Sequence, residues 1–223
     1  MKKLLILCGV SAAVLYIGTV ILGGLIRPGY SHISMAISEL VADGASNRSL
    51  LSSLFLLYNV MVILFGTGLF LKASSQPRGR ASGITGSLAL ILVGIAGVLM
   101  ELVFPQEPGG TATTFAGTMH IIMAGVASVG TMVAVLFVGF WCKSLPGLKG
   151  YVTYSLVSVA ILFVSGVLTA AAMANQSPFF GLSERITIGT FMAWLFFTGL
   201  KMAQPEEAAD HPFELAGSTS KGN

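Results

Sequence analysis

The sequence predicts an all-α integral membrane protein, a bundle of six transmembrane helices with a short interfacial helix in the first outer loop. Of its 223 residues, 54% are hydrophobic and 9% are charged, far below the roughly 25% charged residues of a soluble domain. Six apolar segments are each long enough to cross a hydrocarbon core of about 30 Å, which takes about 20 helical residues. Backbone groups in hydrocarbon must pair within their own segment, so we expect these segments to be helices.

The predicted transmembrane domain covers residues 1–203, and residues 204–223 are predicted to form a disordered cytoplasmic tail because they are polar and rich in Gly and Ser. The helices are placed near 4–26, 50–71, 82–104, 117–142, 151–174 and 185–203. The first helix follows two lysines, but its apolar run is too long for a signal peptide, so we expect it to be retained as an anchor.

The basic residues predict the orientation. Nine of the twelve fall on one side of the predicted bundle and three on the other. The nine are Lys2, Lys3, Lys72, Arg78, Arg80, Lys143, Lys149, Lys201 and Lys221, and the three are Arg27, Arg48 and Arg185. Because cytoplasmic loops carry the excess of Lys and Arg, both termini are predicted to be cytoplasmic. The net charge of +3 therefore reflects topology, and no nucleic-acid partner is expected.

The connection between the first two helices is the longest, and it is patterned. Ile33, Ala36, Ile37 and Leu40 are spaced as i, i+3, i+4 and i+7, the apolar stripe of a helix. We therefore predict a short helix at the interface that acts as a lid over the outer mouth of the bundle.

Ionisable residues recur at the outer ends of the apolar segments. Such a group at membrane depth costs roughly 2.5–3.5 kcal/mol on insertion scales, so it indicates a functional site. Glu101 lies about one turn before the end of the third predicted helix, and His120 about one turn into the fourth. These two are the predicted catalytic residues, because a carboxylate beside an imidazole suits a general base. A purely structural clamp between two helices is the alternative.

The predicted ligand-binding residues share the same outer side. They are Arg27, Tyr30, His32, Ser34, Ser38, Glu39, Arg48, Glu184 and Arg185. The arginines suit an anion or a lipid headgroup. Several plainer explanations stay open: an ion pair of Glu39 with an arginine, serines that solvate the interfacial helix, and a Glu184–Arg185 start to the last helix in which the glutamate suits the helix dipole.

Other chemistries are compatible with the same residues. A serine with a histidine and Glu101 would make a Ser–His–acid set, although no GxSxG motif is present. His32 and His120 with Glu101 could bind zinc, or the two histidines could hold a haem. Neither HExxH nor CxxC occurs, so no metal site is predicted and the cofactor is unknown.

Several motifs resemble a known family. They are Pro28-Gly29-Tyr30-Ser31, Ile37-Ser38-Glu39-Leu40, Ala42-Asp43-Gly44, Phe104-Pro105 followed by His120, and Gly181-Leu182-Ser183-Glu184-Arg185-Ile186. This set is similar to the motifs of an uncharacterised prokaryotic membrane family catalogued as domain of unknown function 998. Where that family often has an acidic residue after Phe-Pro, this chain has Gln106, followed by Glu107. The resemblance implies a six-helix membrane protein and no established activity. The expected location is the plasma (inner) membrane.

These observations favour a polar, extracytoplasmic-facing pocket that binds or modifies a lipid headgroup or a small polar molecule. Two alternatives stay open: a non-catalytic membrane subunit or sensor that docks a protein partner, and a small-solute or ion-coupled transporter. The transporter is less favoured because the inner halves of the helices carry only Ser, Thr and Gly as polar residues. Membrane lipids are partners in every case.

Overall fold

The computed structural model describes residues 2–108 and 112–204. Its six helices are α1 Lys2–Ile26, α2 Arg48–Ser74, α3 Arg80–Leu102, α4 Phe115–Cys142, α5 Tyr151–Ala174 and α6 Phe180–Ala203. Each is long and apolar enough to cross a membrane, and the described ranges contain no strand. The predicted six-helix membrane bundle is therefore confirmed. The predicted disordered tail lies outside the described residues from residue 205 onward.

The helices close into a ring of contacts. Each packs against the next in sequence, and α6 also packs against α1. The interior is filled by large side chains, among which Phe65, Trp141 and Trp194 are fully buried. The Trp194 indole N–H donates to the Ser155 hydroxyl at 3.1 Å between α6 and α5, so this buried donor is satisfied inside the bundle.

The two ends of the bundle differ in charge. We call the end where α1, α3 and α5 finish the site end, and the other the opposite end. All acidic residues that the structure describes lie at the site end, namely Glu39, Asp43, Glu101, Glu107 and Glu184. The opposite end holds Lys2, Lys3, Lys72, Arg78, Arg80, Lys143, Lys149 and Lys201. The site end also holds Arg27, Arg48 and Arg185. Among the described residues, the site end therefore carries both acidic and basic side chains, whereas the opposite end carries only basic ones.

The first loop folds back over the site end and adds a small second core there. This core is formed by Val20, Ile37, Leu40, Val41, Leu51 and Phe55. The predicted short helix is present, but its extent was wrong: the regular part is a 3-10 helix, Ser38–Val41. Ala36, Ile37 and Leu40 are buried as expected, whereas Ile33 is 53% exposed.

Two helix ends differ from the expected positions in a way that shapes the site. α6 begins at Phe180, so Glu184 and Arg185 lie in its second turn and do not open the helix. α3 ends at Leu102, and the chain after it leaves the helical path before α4. The backbone groups of this segment are therefore available to side chains.

Candidate functional site

Arg185 is the centre of a set of contacts that we call the loop clamp, formed by Arg27, Tyr30, Glu39, Glu184 and Arg185. Its Nη1 donates to the carbonyl oxygen of Met35 at 3.0 Å and to that of Gly181 at 2.8 Å. Its Nη2 donates to the Tyr30 hydroxyl. A guanidinium carries five N–H donors in a rigid fork, so Arg185 fastens the first loop to its own helix. Its Nε is buried and has no hydrogen-bond partner among the described residues.

Two carboxylates hold the loop backbone from the other direction. Glu184 accepts a hydrogen bond from the N–H of Ile37 at 2.7 Å, and Glu39 accepts one from the N–H of Ala36 at 2.9 Å. Arg27 donates to the backbone carbonyl of Glu39. Because side chains bind the peptide groups that an α-helix would pair internally, the predicted helix is reduced to one 3-10 turn.

Tyr30 joins the two arginines of the clamp. Its hydroxyl donates to the carbonyl oxygen of Ala36 at 2.8 Å. The guanidinium carbons of Arg27 and Arg185 lie 5.7 Å and 5.6 Å from the centroid of its ring, within the range of cation–π attraction. Burial raises the pKa of Tyr30 to about 12, against the lowering effect of the Arg185 charge. The phenol therefore stays protonated and keeps its role as a donor.

His32 packs beside the clamp against α1. Its ring meets that of Tyr30 edge-on, with centroids 5.2 Å apart. Gly24 makes this position possible, because a Cβ at residue 24 would collide with Nε2 of His32. Burial, followed by the charge of Arg185, lowers the pKa of His32 from its ordinary 6.5. Its imidazole is therefore mainly neutral near pH 7.

A cavity of about 360 Å³ lies beneath the loop between α1 and α6, and we call it the α1/α6 cavity. Its lining residues are Tyr16, Ile17, Val20, Ile21, His32, Ile37, Arg185, Ile188 and Gly189. The walls are mainly apolar, and the two basic side chains, His32 and Arg185, come from the site end. Ile17 and Ile21 are 44% and 54% exposed, so the α1 wall is open towards the surroundings of the bundle.

Glu101 and His120, the predicted acid–base pair, each have another partner. Glu101 accepts a hydrogen bond from the Ser52 hydroxyl at 2.5 Å. Nδ1 of His120 lies 2.8 Å from the carbonyl oxygen of Phe104, so it carries the proton in this contact. No hydrogen bond or ion pair between described residues links Glu101 to His120. Each member of the pair therefore has a partner of its own, and no described hydrogen bond joins either one to the loop clamp.

Gln106 connects the first loop to the segment after α3, although it is not among the predicted site residues. Its side-chain oxygen accepts a hydrogen bond from the Ser38 hydroxyl at 3.3 Å, and its backbone carbonyl accepts one from the N–H of Asp43 at 3.1 Å. The side chain is buried. Gln106 could have been identified from the sequence, because it directly follows the family motif Phe104-Pro105.

Glu107 organises the start of α4. It accepts hydrogen bonds from the backbone N–H groups of Thr113 at 2.9 Å and Thr114 at 2.8 Å, and from both threonine hydroxyls. These donors, the Thr114 hydroxyl first, lower the pKa of Glu107 to about 2. The sequence signal at this helix start is Thr114, the N-cap whose hydroxyl accepts a hydrogen bond from the N–H of Gly117 at 3.1 Å. Glu107 precedes Thr114 by seven residues, so helix capping rules did not identify it.

The remaining predicted ligand-binding residues lie outside the clamp. Arg48 forms an ion pair with Asp43 at 2.5 Å, with side chains 37% and 53% exposed. Ser34 is exposed, and its backbone N–H donates to the Ser31 hydroxyl at 3.3 Å. Neither Ser34 nor Ser38 has a described hydrogen bond to a histidine, so the described contacts give the Ser–His–acid alternative no support. The structure thus gathers Arg27, Tyr30, His32, Glu39, Glu184 and Arg185 into one region.

Within the described ranges, no three His, Cys, Asp or Glu side chains lie close enough together to hold a metal ion. His32 lies beside Tyr30 and α1, whereas His120 is bonded to the backbone after α3. The zinc and haem alternatives therefore gain no support from the positions of the two histidines.

Comparison with known proteins gives a family and no further relative. The family model described as "Protein of unknown function (DUF998)" matches residues 10–201, which extend from within α1 to within α6. No curated protein and no solved structure matches the chain. The resemblance indicated by the motifs is confirmed, because the match covers most of the chain. The protein belongs to the DUF998 family and is a multi-pass membrane protein of unknown function.

Proposed function

We propose that the protein binds a membrane lipid at its site end, with the headgroup against Arg185 and His32 and an acyl chain in the α1/α6 cavity. The cavity is the observation that carries this proposal. Its volume of about 360 Å³ falls in the range of roughly 300–1,000 Å³ typical of small-molecule sites. Its composition, apolar with a few polar groups at one end, matches the two parts of a lipid.

The open α1 wall supports a ligand that arrives from the bilayer. Ile17 and Ile21 lie within a membrane-spanning helix, and both are substantially exposed. At that depth the surroundings are hydrocarbon, so an acyl chain can enter sideways without crossing water. Gly189 leaves space on the α6 wall, because a Cβ there would meet no atom within 4 Å.

Arg185 supplies the charge that the headgroup requires. The carbonyls of Met35 and Gly181 and the Tyr30 hydroxyl fix its guanidinium at the cavity. None of these three hydrogen-bond acceptors is a carboxylate, and a guanidinium suits a phosphate-bearing headgroup. His32 adds a neutral ring whose nitrogens can bond to polar headgroup atoms.

We place this site on the extracytoplasmic face of the plasma (inner) membrane. The opposite end holds eight basic residues among the described ones, whereas the site end holds Arg27, Arg48 and Arg185. Cytoplasmic ends carry the excess of basic residues, so both termini belong in the cytoplasm. Binding is the part of the hypothesis that the contacts support. Chemistry by Glu101 and His120 stays a prediction, as do a docked protein partner and solute transport.

Native mass spectrometry of the full chain in mild detergent tests the proposal. The probe is phosphatidylglycerol, added to wild type, to Gly189→Leu and to Gly166→Leu. Leucine at residue 189 occupies the cavity, whereas residue 166 lies on α5, where a Cβ also meets no atom within 4 Å. We expect Gly189→Leu to lower the affinity of one bound lipid by about tenfold, equivalent to about 1.4 kcal/mol, and Gly166→Leu to leave it unchanged. Equal affinities in all three proteins would refute the proposal.

A further inference from the structure

We infer that the opposite end of the bundle carries a separate site for a phosphate group, in a cavity lined by Lys2, Lys3 and Lys72. The cavity has a volume of about 600 Å³, larger than the α1/α6 cavity. Ser75 and Met202 are also part of its lining. It lies at the other end of α1 and α6 from the proposed lipid site, and it does not depend on that proposal.

The lysines reach the cavity from two helices. Lys2 and Lys3 open α1, and Lys72 lies in the last turn of α2. Nζ of Lys72 lies 3.4 Å from the carbonyl oxygen of Met202 on α6, which holds its ammonium group at the cavity wall. An ammonium group has three donors. Three such groups around one space suit an acceptor with several oxygens.

The charge around the cavity favours an anion. Among the described residues of the opposite end there are eight basic side chains and no acidic one. A cavity lined by charges of one sign, with low-dielectric walls, concentrates the electric field and raises the local concentration of counter-ions. Basic pockets at the ends of transmembrane helices bind phosphate-bearing headgroups for this reason.

The apolar residues of the lining bear on which kind of phosphate compound binds. Ile6 and Met202 lie next to the lysines and are buried in the protein. A lipid phosphate at the membrane surface and a small soluble phosphate compound share the recognised chemistry. The chain itself offers a competing anion, because Glu206 and Glu207 follow shortly after Gln204 in the sequence.

The test uses the full chain in mild detergent and native mass spectrometry, with phosphatidylglycerol and phosphatidylcholine of equal chain length as probes. The variant is Lys3→Gln/Lys72→Gln. Its control is Lys143→Gln/Lys149→Gln, which removes two exposed charges from the same end but does not alter the cavity lining. Losing two lysines should weaken phosphatidylglycerol binding by about thirty-fold, and the control should bind as wild type does. Thermal unfolding of both variants checks that they remain folded.

The source of the phosphate is decided by competition. If glycerol 3-phosphate displaces the bound phosphatidylglycerol, the site accepts soluble phosphate compounds; if it does not, the site is specific for lipids, and both results support the inference. Equal loss in the two double variants overturns it. Equal binding of the two lipids by wild type also overturns it, because the choline cation of phosphatidylcholine neutralises the phosphate charge that the lysines would recognise. It is also overturned if phosphatidylglycerol binds here only after Glu206→Gln/Glu207→Gln, because the tail is then the occupant. Gly189→Leu should leave this lipid bound, which separates the two proposals.

Discussion

The two ends of the bundle use charged side chains in different ways. At the site end, Arg185 and Glu184 of α6 bind backbone groups of the first loop. Arg27, which directly follows α1, donates to a backbone carbonyl of the same loop. At the opposite end, the described residues include basic side chains and no acidic ones. Charges of the first kind act over hydrogen-bond distances and shape the chain, whereas those of the second kind create a field that orients the protein and attracts anions.

This difference shows why the two ends should respond differently to mutation. A buried donor or acceptor that loses its partner costs the full desolvation penalty of the group left behind. An exposed charge that loses a distant neighbour costs little, because water and salt screen it. The stability of the first loop should therefore depend on a few specific residues, whereas exposed lysines of the opposite end such as Lys149 should contribute little to stability.

The largest effect is expected at Arg185. Arg185→Leu removes three described hydrogen bonds and leaves the carbonyls of Met35 and Gly181 without that donor. We expect a loss of about 3 kcal/mol in the free energy of unfolding, within the range for buried hydrogen bonds to a charged group. Chemical unfolding in mild detergent measures it. Arg48→Leu is the matched control, and an equal loss in both would contradict the clamp.

A smaller effect, whose change with pH is confined to acid, is expected at Glu107. Its folded pKa of about 2 lies below the ordinary value of 4.5, so its ionised form favours the folded state. This contribution is complete above pH 4.5 and is lost as the pH falls towards 2. The stability difference between wild type and Glu107→Gln should shrink over that interval. A difference that stays constant with pH would show that the threonine contacts do not bind the carboxylate.

The smallest effect is expected for the exposed pair Arg48–Asp43. Its side chains are 37% and 53% exposed, and such pairs contribute only about 0.2–1 kcal/mol. Asp43→Asn should therefore lower the unfolding free energy by no more than this, and less at high salt. Lys149→Gln at the opposite end should stay within about 0.5 kcal/mol of wild type. A larger loss for Lys149→Gln would mean that the opposite end also depends on specific partners.

The sequence by itself determined the number of helices and the asymmetry of charge. Both follow from one-dimensional properties: an apolar run must reach across the hydrocarbon core, and basic residues fall at one end of successive runs. The candidate region was also visible, because Arg27, Tyr30, Glu184 and Arg185 stand at the ends of such runs. The family motifs contain four of the clamp residues, Tyr30, Glu39, Glu184 and Arg185, and motifs of this kind can be recognised from the sequence alone.

Only the tertiary structure decided which polar group meets which. Glu101 and His120 lie near the same end of adjacent helices, yet Glu101 meets Ser52 of α2 and His120 meets the backbone after α3. Successive residues point about 100° apart around a helix axis, so similar depth does not fix direction. The first loop shows the same limit: its apolar spacing predicts a helix, but side chains as distant in sequence as Glu184 and Arg185 bind the peptide groups that the helix needs. Competition between local and long-range partners for the same backbone groups is settled by packing, which the spacing of residues does not encode.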